Sequence, residues 1–319
     1  MKRAVAGKKE KFGFNQTLFL LAIILVLGCG ISLVNERFLY STNLLNLLRQ
    51  CSVTGIVAVG ISMVLISGGI DLSVGSIVSL VACAGARLLV GGAETWKAVL
   101  AMLLTGAACG LFNGFIISRT KCAPFIISLG SMSIFKGIAL IIADGKIINM
   151  GSVFETLGRK KLWFVPMPIV VFFAIFGVVY AMLRFTVLGR RFYAMGGSEE
   201  AAYLSGVNVR GNVLLVYLLN GLVVSLAGMV LLSRLGSANA TMGEGYELNS
   251  IASAVIGGIA LNGGKGSLVG CFLGILLLGL ISNSLNILGV LPFYQSIVLG
   301  AIIIFAVVFS SIGERKKAV

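Results

Sequence analysis

Histidine is absent from the sequence, which removes the commonest general base and the commonest transition-metal ligand. Charge is scarce as well: Asp, Glu, Lys and Arg make up 11% of the chain against 58% hydrophobic residues, and the mean hydropathy is +1.05. Soluble domains carry about 25% charged residues, and no soluble core hides this much apolar surface. The chain therefore reads as an integral membrane protein. The six cysteines, Cys29, Cys51, Cys83, Cys109, Cys122 and Cys271, show no Cys-x-x-Cys spacing and lie mostly inside apolar runs. They read as small hydrophobes, neither a disulfide framework nor a zinc site. No metal site and no catalytic residue is expected. Basic stripes interleaved with aromatics are missing too, so a net charge of +14 does not point to nucleic acid. The charges sit mainly at the ends of apolar segments, where they set orientation.

A crossing of the bilayer needs about 20 mostly apolar residues. Ten segments qualify as candidates: 17–34, 44–66, 72–90, 97–118, 124–143, 163–183, 211–233, 248–261, 267–287 and 293–312. The predicted fold class is an all-α polytopic transmembrane helix bundle of about ten spans with both termini cytoplasmic. It comprises a basic tail over 1–16, one transmembrane domain over 17–312 with a cytoplasmic loop at 184–210, and a short tail over 313–319. The eighth segment, "LNSIASAVIGGIAL", is too short to cross unaided and reads as a broken or re-entrant helix. Lys2, Arg3, Lys8, Lys9 and Lys11 give the first segment the look of a signal peptide. No Ala-x-Ala site follows and further spans do, so an uncleaved first helix is expected. The internal segments (both tails, 67–71, 119–123, 184–210 and 262–266) hold 15 of the 25 Lys and Arg, and the basic tails and "RFTVLGRR" (184–191) fit the positive-inside rule. Arg159, Lys160 and Lys161 dissent, falling in an external loop.

Among 42 glycines, Gly106, Gly110 and Gly114 repeat at four-residue spacing, as do Gly270 and Gly274. On a helix that spacing makes a flat face for close packing, here expected within the chain. Ion-driven carriers keep ionisable groups in mid-span. This sequence offers only Asp71 and Lys136, with Arg87 and Arg234 nearer the predicted ends, so the driving energy is expected to enter elsewhere. "NGGKGS" (262–267) imitates a phosphate loop and fails it, because Ile259 stands at the first glycine position and Gly266 follows the lysine. The chain is not expected to be an enzyme or to hydrolyse ATP.

In the long internal loop, "GSEEAAYLSGV" reads as a short helix. Ser198 caps it, Glu199 and Glu200 suit its first turn, and Gly206 ends it. With small residues at Ala201 and Ala202, it either docks into a partner's groove or serves as a solvated connector. "EAAYLSG" (200–206) resembles the Glu-Ala-Ala-x-x-x-Gly loop through which permease subunits of ABC importers contact their ATPase. "AVGISMVLISGGIDLSVGSIVSL" (58–80), "LGRRFYAMGGSEEAAYLSGVNV" (188–209), "GEGYELNSIASAVIGGIALNGGKGSLVG" (243–270) and "NSLNILGVLPFYQSIVLGAIII" (283–304) are similar to the ribose-type sugar permease family.

The resemblance implies a permease of the bacterial inner membrane for a ribose-like or related monosaccharide. It implies pairing with a second permease copy or a sister chain, two cytoplasmic ABC ATPase subunits and an extracytoplasmic sugar-binding protein. It places ATP and Mg on the ATPase and no cofactor on this chain. Glu199, Glu200, Ala201, Ala202, Leu204 and Gly206 would form the coupling helix. The alternative is a stand-alone facilitator or ion-coupled secondary transporter of a small polar solute.

"ISGGIDLSVGS" (66–76) then takes two readings. Gly68 and Gly69 permit the chain reversal between two apolar segments, and Asp71 is placed to accept amide bonds from Ser73 or Val74 at a helix start. Alternatively, Gly68, Gly69, Asp71 and Ser73 border the sugar path. Asn113, Asn220 and Asn283 are further mid-span polar residues, lining that path or bridging helices.

Overall fold

The structure is a computed structural model that describes residues 2–120, 122–302 and 304, with side chains from residue 17 onward. Its helices are α1 (Lys2–Val34), α2 (Ser41–Ile66), α3 (Val74–Val90), α4 (Thr95–Arg119), α5 (Pro124–Ala143) and α6 (Met167–Phe185). They continue as α7 (Val187–Gly197), α8 (Glu199–Leu204), α9 (Val209–Leu235), α10 (Tyr246–Ile256), α11 (Leu268–Ile287) and α12 (Pro292–Ile302). Pro124, Pro168 and Pro292 stand at the first or second position of their helices, where a missing amide hydrogen breaks no intrahelical bond. Among the described residues, the strands are two short antiparallel pairs, 148–149 with 237–238 and 161–162 with 165–166.

Among the described residues, seven helices are long and apolar enough to cross a membrane: Thr17–Val34 within α1, then α2, α4, α5, α6, α9 and α11. The ten expected spans therefore divide. The candidate at 72–90 becomes α3, only 17 residues long, and 248–261 becomes the eleven-residue α10. The candidate at 293–312 is seen only through α12, and its remainder lies outside the described residues, as does the tail 313–319. The basic tail 1–16 continues α1 in helix from Lys2.

The core forms around α2, in which every residue from Val53 to Ile66 except Thr54 is buried. A helix apolar on all sides belongs inside a bundle. The glycine repeats set how closely its neighbours approach. A methyl on Gly106 would lie 2.5 Å from the Gly221 carbonyl oxygen, and one on Gly110 would strike the Tyr217 carbonyl. Gly270 and Gly274 meet the Gly257 and Ser253 carbonyls of the α10 region in the same way. Both repeats thus pack within the chain, as expected. Gly110→Val should force α4 from α9 and cost about 1–3 kcal/mol, the usual range for overpacking. The thermal midpoint of the purified protein should fall by several degrees, whereas Gly137→Ala, whose methyl meets nothing within 4 Å, should leave it unchanged.

Two stretches of non-helical backbone enter the bundle. After α2 ends, Gly68 takes φ +88° and the chain doubles back along α2 before α3 begins. The depth follows from Asn220, which bonds Asp71 while its carbonyl oxygen lies against Gly60. Gly60 is six residues back from Ile66, or about 9 Å along the helix. α3 therefore starts well inside the bundle, and 17 residues suffice for the rest of the way. The second stretch follows α9. Residues 239–245 turn inward until the Gly243 amide donates to Ser79 Oγ at 2.9 Å, and α10 then starts at depth. Irregular backbone is tolerated there because protein surrounds it.

Candidate functional site

Asp71 is fully buried with Ser73, Asn113 and Asn220. Its Oδ1 accepts from the Ser73 amide at 2.9 Å and the Ser73 hydroxyl at 2.6 Å, with the Asn113 amide at 3.4 Å. Its Oδ2 accepts from Asn220 Nδ2 at 2.9 Å, and Asn113 Nδ2 also donates to Ser73 Oγ at 2.8 Å. A carboxyl oxygen that is not protonated accepts, and both amide NH2 groups are turned toward the Asp71 carboxyl. Asn113 Oδ1 and Asn220 Oδ1 are left buried without a partner among the described residues. The cluster ties the chain break to α4 and α9.

Asn283 lies elsewhere. It exchanges amide bonds with Asn43, at 3.1 and 2.9 Å, joining α11 to the start of α2. Gly69 packs beside the Tyr217 hydroxyl, which donates to the Ile70 carbonyl at 3.0 Å. Gly68 sits at the end of α2 against Gly196 and Gly263.

Open space occurs where the two irregular stretches meet α5. A cavity of about 300 Å³ is lined by Gly75, Ser76 and Ser79 of α3, Met132 and Lys136 of α5, and Ala240, Glu244 and Glu247. Lys136 Nζ pairs with Glu244 Oε1 at 2.6 Å. Lys136 is about 18 Å from the start of α5 and about 10 Å from its end, well inside the span. The two side chains are 42% and 57% exposed. Facing hydrocarbon, such charges would cost about 2.5–3.5 kcal/mol each; paired with each other and beside open space they cost less. Glu247 Oε1 accepts from the Gly245 amide at 3.0 Å, and its other oxygen lies where a methyl on Gly75 would fall. The walls offer hydroxyls, carboxylates and an ammonium, all suited to hydroxyl-rich solutes. Among the described residues no group of three His, Cys, Asp or Glu is placed to hold a metal.

The loop at 184–210 folds into α7 and α8. Ser198 Oγ accepts from the Ala201 amide at 3.2 Å, and Gly206 takes φ +81° after the last turn. Ala202 is buried with Met195 and Val209. Glu199, Glu200, Ala201, Tyr203, Leu204 and Gly206 are exposed. The two alanines thus divide, one facing the chain itself and the other outward.

Residues 43–307 match the family described as "Branched-chain amino acid transport system / permease component". The chain belongs to this permease family. It is 41% identical over 317 residues to the ribose import permease protein RbsC of Bacillus subtilis (strain 168), covering 98% of this chain and 95% of that one. The RbsC of Escherichia coli (strain K12) is 40% identical over 292 residues, covering 90% and 91%. The galactose/methyl galactoside import permease protein MglC of that strain is 36% identical over 315 residues, covering 92% and 94%. No solved structure matches the chain. The permease is a multi-pass membrane protein and a transport component, not itself an enzyme.

In this permease, sequence reasoning singled out Asp71, Ser73, Asn113 and Asn220, and the structure brings them into one closed cluster. It noted Lys136 as a mid-span ionisable residue and named no partner for it. Glu244, Glu247, Ser76 and Ser79 were missed, because a span drawn from residue 248 left "GEGYE" outside the membrane. Two glutamates just before and within the first turn of a helix too short to cross were the available signal. Tyr203 was missed because attention to the small residues of α8 passed over its large one.

Proposed function

We propose that this permease is the membrane-spanning subunit of an ABC importer in the bacterial inner membrane, carrying a monosaccharide through the Lys136–Glu244 cavity. The observation that supports it most is that cavity: a space inside the bundle bordered by an ion pair, a further carboxylate and two serines, walled by two broken segments, in a chain whose relatives are named for ribose and galactose import. Hydroxyl-bearing solutes are held there by hydrogen bonds and released again, since a transit route must not bind tightly. Both termini lie in the cytoplasm, and 17–312 forms one permease domain. A second permease copy or sister chain completes the path. α8 couples to cytoplasmic ATPase subunits, which bind ATP and Mg, through exposed Tyr203 and Leu204. A sugar-binding protein delivers cargo from outside.

Affinity purification in mild detergent tests this reading. An ATPase and an extracytoplasmic sugar binder should co-purify. Leu204→Glu, a change on an exposed side chain, should release the ATPase while leaving the thermal midpoint of the permease unaltered. Sugar movement by the purified chain alone in vesicles, with no ATPase present, would instead support a stand-alone transporter.

A further inference from the structure

The segment leading into α8 touches both broken stretches directly. α7 ends at Gly196 and Gly197, with only Ser198 before α8. A methyl on Gly196 would collide with the Ile66 carbonyl oxygen and the Gly264 amide, and that amide is bonded to the same carbonyl at 2.9 Å. A methyl on Gly263 would lie 2.7 Å from Gly68 Cα and 2.8 Å from Gly196 Cα. One on Gly264 would lie 2.6 Å from Gly197 Cα. Beside them, Tyr193 Oη donates to the Gly266 carbonyl at 3.0 Å. The ends of α2 and α7 and the turn at 263–264 therefore meet backbone against backbone.

Two of the three lead to walls of the cavity. From 66–68 the chain runs through Asp71 to the first turns of α3, which carry Gly75, Ser76 and Ser79. From 263–264 it runs back to α10, whose first turn carries Glu247. Side chains absorb small displacements by changing rotamer, but backbone in van der Waals contact has no such freedom, so the junction moves as a unit or not at all.

Resting on the importer reading above, we infer that Gly196, tied laterally by Tyr193, is a positioning residue for transport, carrying the displacement of α8 into both cavity walls at once. The exposed helix receives the push, and the glycine contact delivers it. The adjoining walls, α3 and α10, then shift together.

The test uses the permease complexed with its co-purifying ATPase in nanodiscs. Cys29 and Cys122 are replaced by serine, and Met132→Cys reports on the cavity through its labelling rate with a membrane-impermeant maleimide. In this parent, trapping with ATP and vanadate should change the rate about five-fold or more. Gly196→Ala should abolish the change. Gly197→Ala, whose methyl meets nothing within 4 Å, should retain it. Tyr193→Phe, which keeps the ring and removes the bond to Gly266, should reduce it about two-fold or more. A Gly196→Ala response as large as that of Gly197→Ala overturns the inference while leaving the importer reading intact. Should Gly196→Ala fail to accumulate, Tyr193→Phe decides, and an undiminished response counts against the inference. A parent that binds no ATPase, or shows no nucleotide response, overturns the importer reading and the inference with it.

Discussion

Lys136→Met should reduce sugar uptake by about ten- to a hundred-fold in vesicles containing the assembled importer. The substitution keeps much of the side chain's length and removes its charge, leaving Glu244 unpaired inside the span. An unpaired charge facing hydrocarbon costs about 2.5–3.5 kcal/mol, roughly a hundred-fold at 1.4 kcal/mol per decade, and that sets the upper bound for Glu244 beside the cavity. The pair is half open to the cavity, so screening places the effect toward the lower end of that range. Glu244→Gln on the Lys136→Met background should restore part of the uptake, because two neutral side chains leave no charge stranded. The exchange Lys136→Glu with Glu244→Lys should restore more, since it keeps the ion pair. If uptake in the double variants simply equals the product of the single losses, the two side chains act independently and the ion pair has no part in transport. Thermal midpoints measured alongside separate lost uptake from lost folding.

Asp71→Ala should remove most of the folded permease from the membrane. The Ser73 amide and Asn220 Nδ2 would be stranded in a site with no solvent access, at about 1–3 kcal/mol each, on top of two amide oxygens already unpaired there. Asp71→Asn is the sharper probe, because it preserves shape. Its oxygen can still accept from Ser73, but its NH2 group would face the NH2 of Asn220, donor against donor. Loss of assembled protein is therefore expected, together with recovery in the combination Asp71→Asn with Asn220→Asp, which restores one acceptor opposite one donor. Full assembly of Asp71→Asn with uptake lost would instead make the carboxylate part of the sugar path. Quantitative membrane immunoblotting and radiolabelled sugar uptake distinguish the two outcomes.

The cluster and the cavity differ in how visible they are beforehand. The amide bond from Ser73 to Asp71 is local, two residues apart, and residue type and spacing suffice to predict it. The bonds from Asn113 and Asn220 span 42 and 149 residues, and only the packing of α4 against α9 brings those side chains to the carboxylate. The ion pair is more distant from any local rule. Lys136 and Glu244 lie on opposite sides of the long internal loop, 108 residues apart. Their meeting depends on the chain after α9 turning inward where a hydropathy profile sees an external loop. α3 illustrates the same limit. Its apolar run is plain in the sequence, but its starting depth follows from the bond of Asn220 to Asp71 at the level of Gly60.

Composition alone determined that this is a membrane-embedded helical protein, because backbone in hydrocarbon must satisfy its own hydrogen bonds and an apolar run of sufficient length does so as a helix. Short-range chemistry determined the cap at Ser198, the turn at Gly68 and the close glycine faces. Only the tertiary structure decided which polar groups are sealed and which border open space. That distinction rests on contacts between segments far apart in the chain, where a few ångströms of depth turn a mid-span polar residue from a cavity wall into a buried strut.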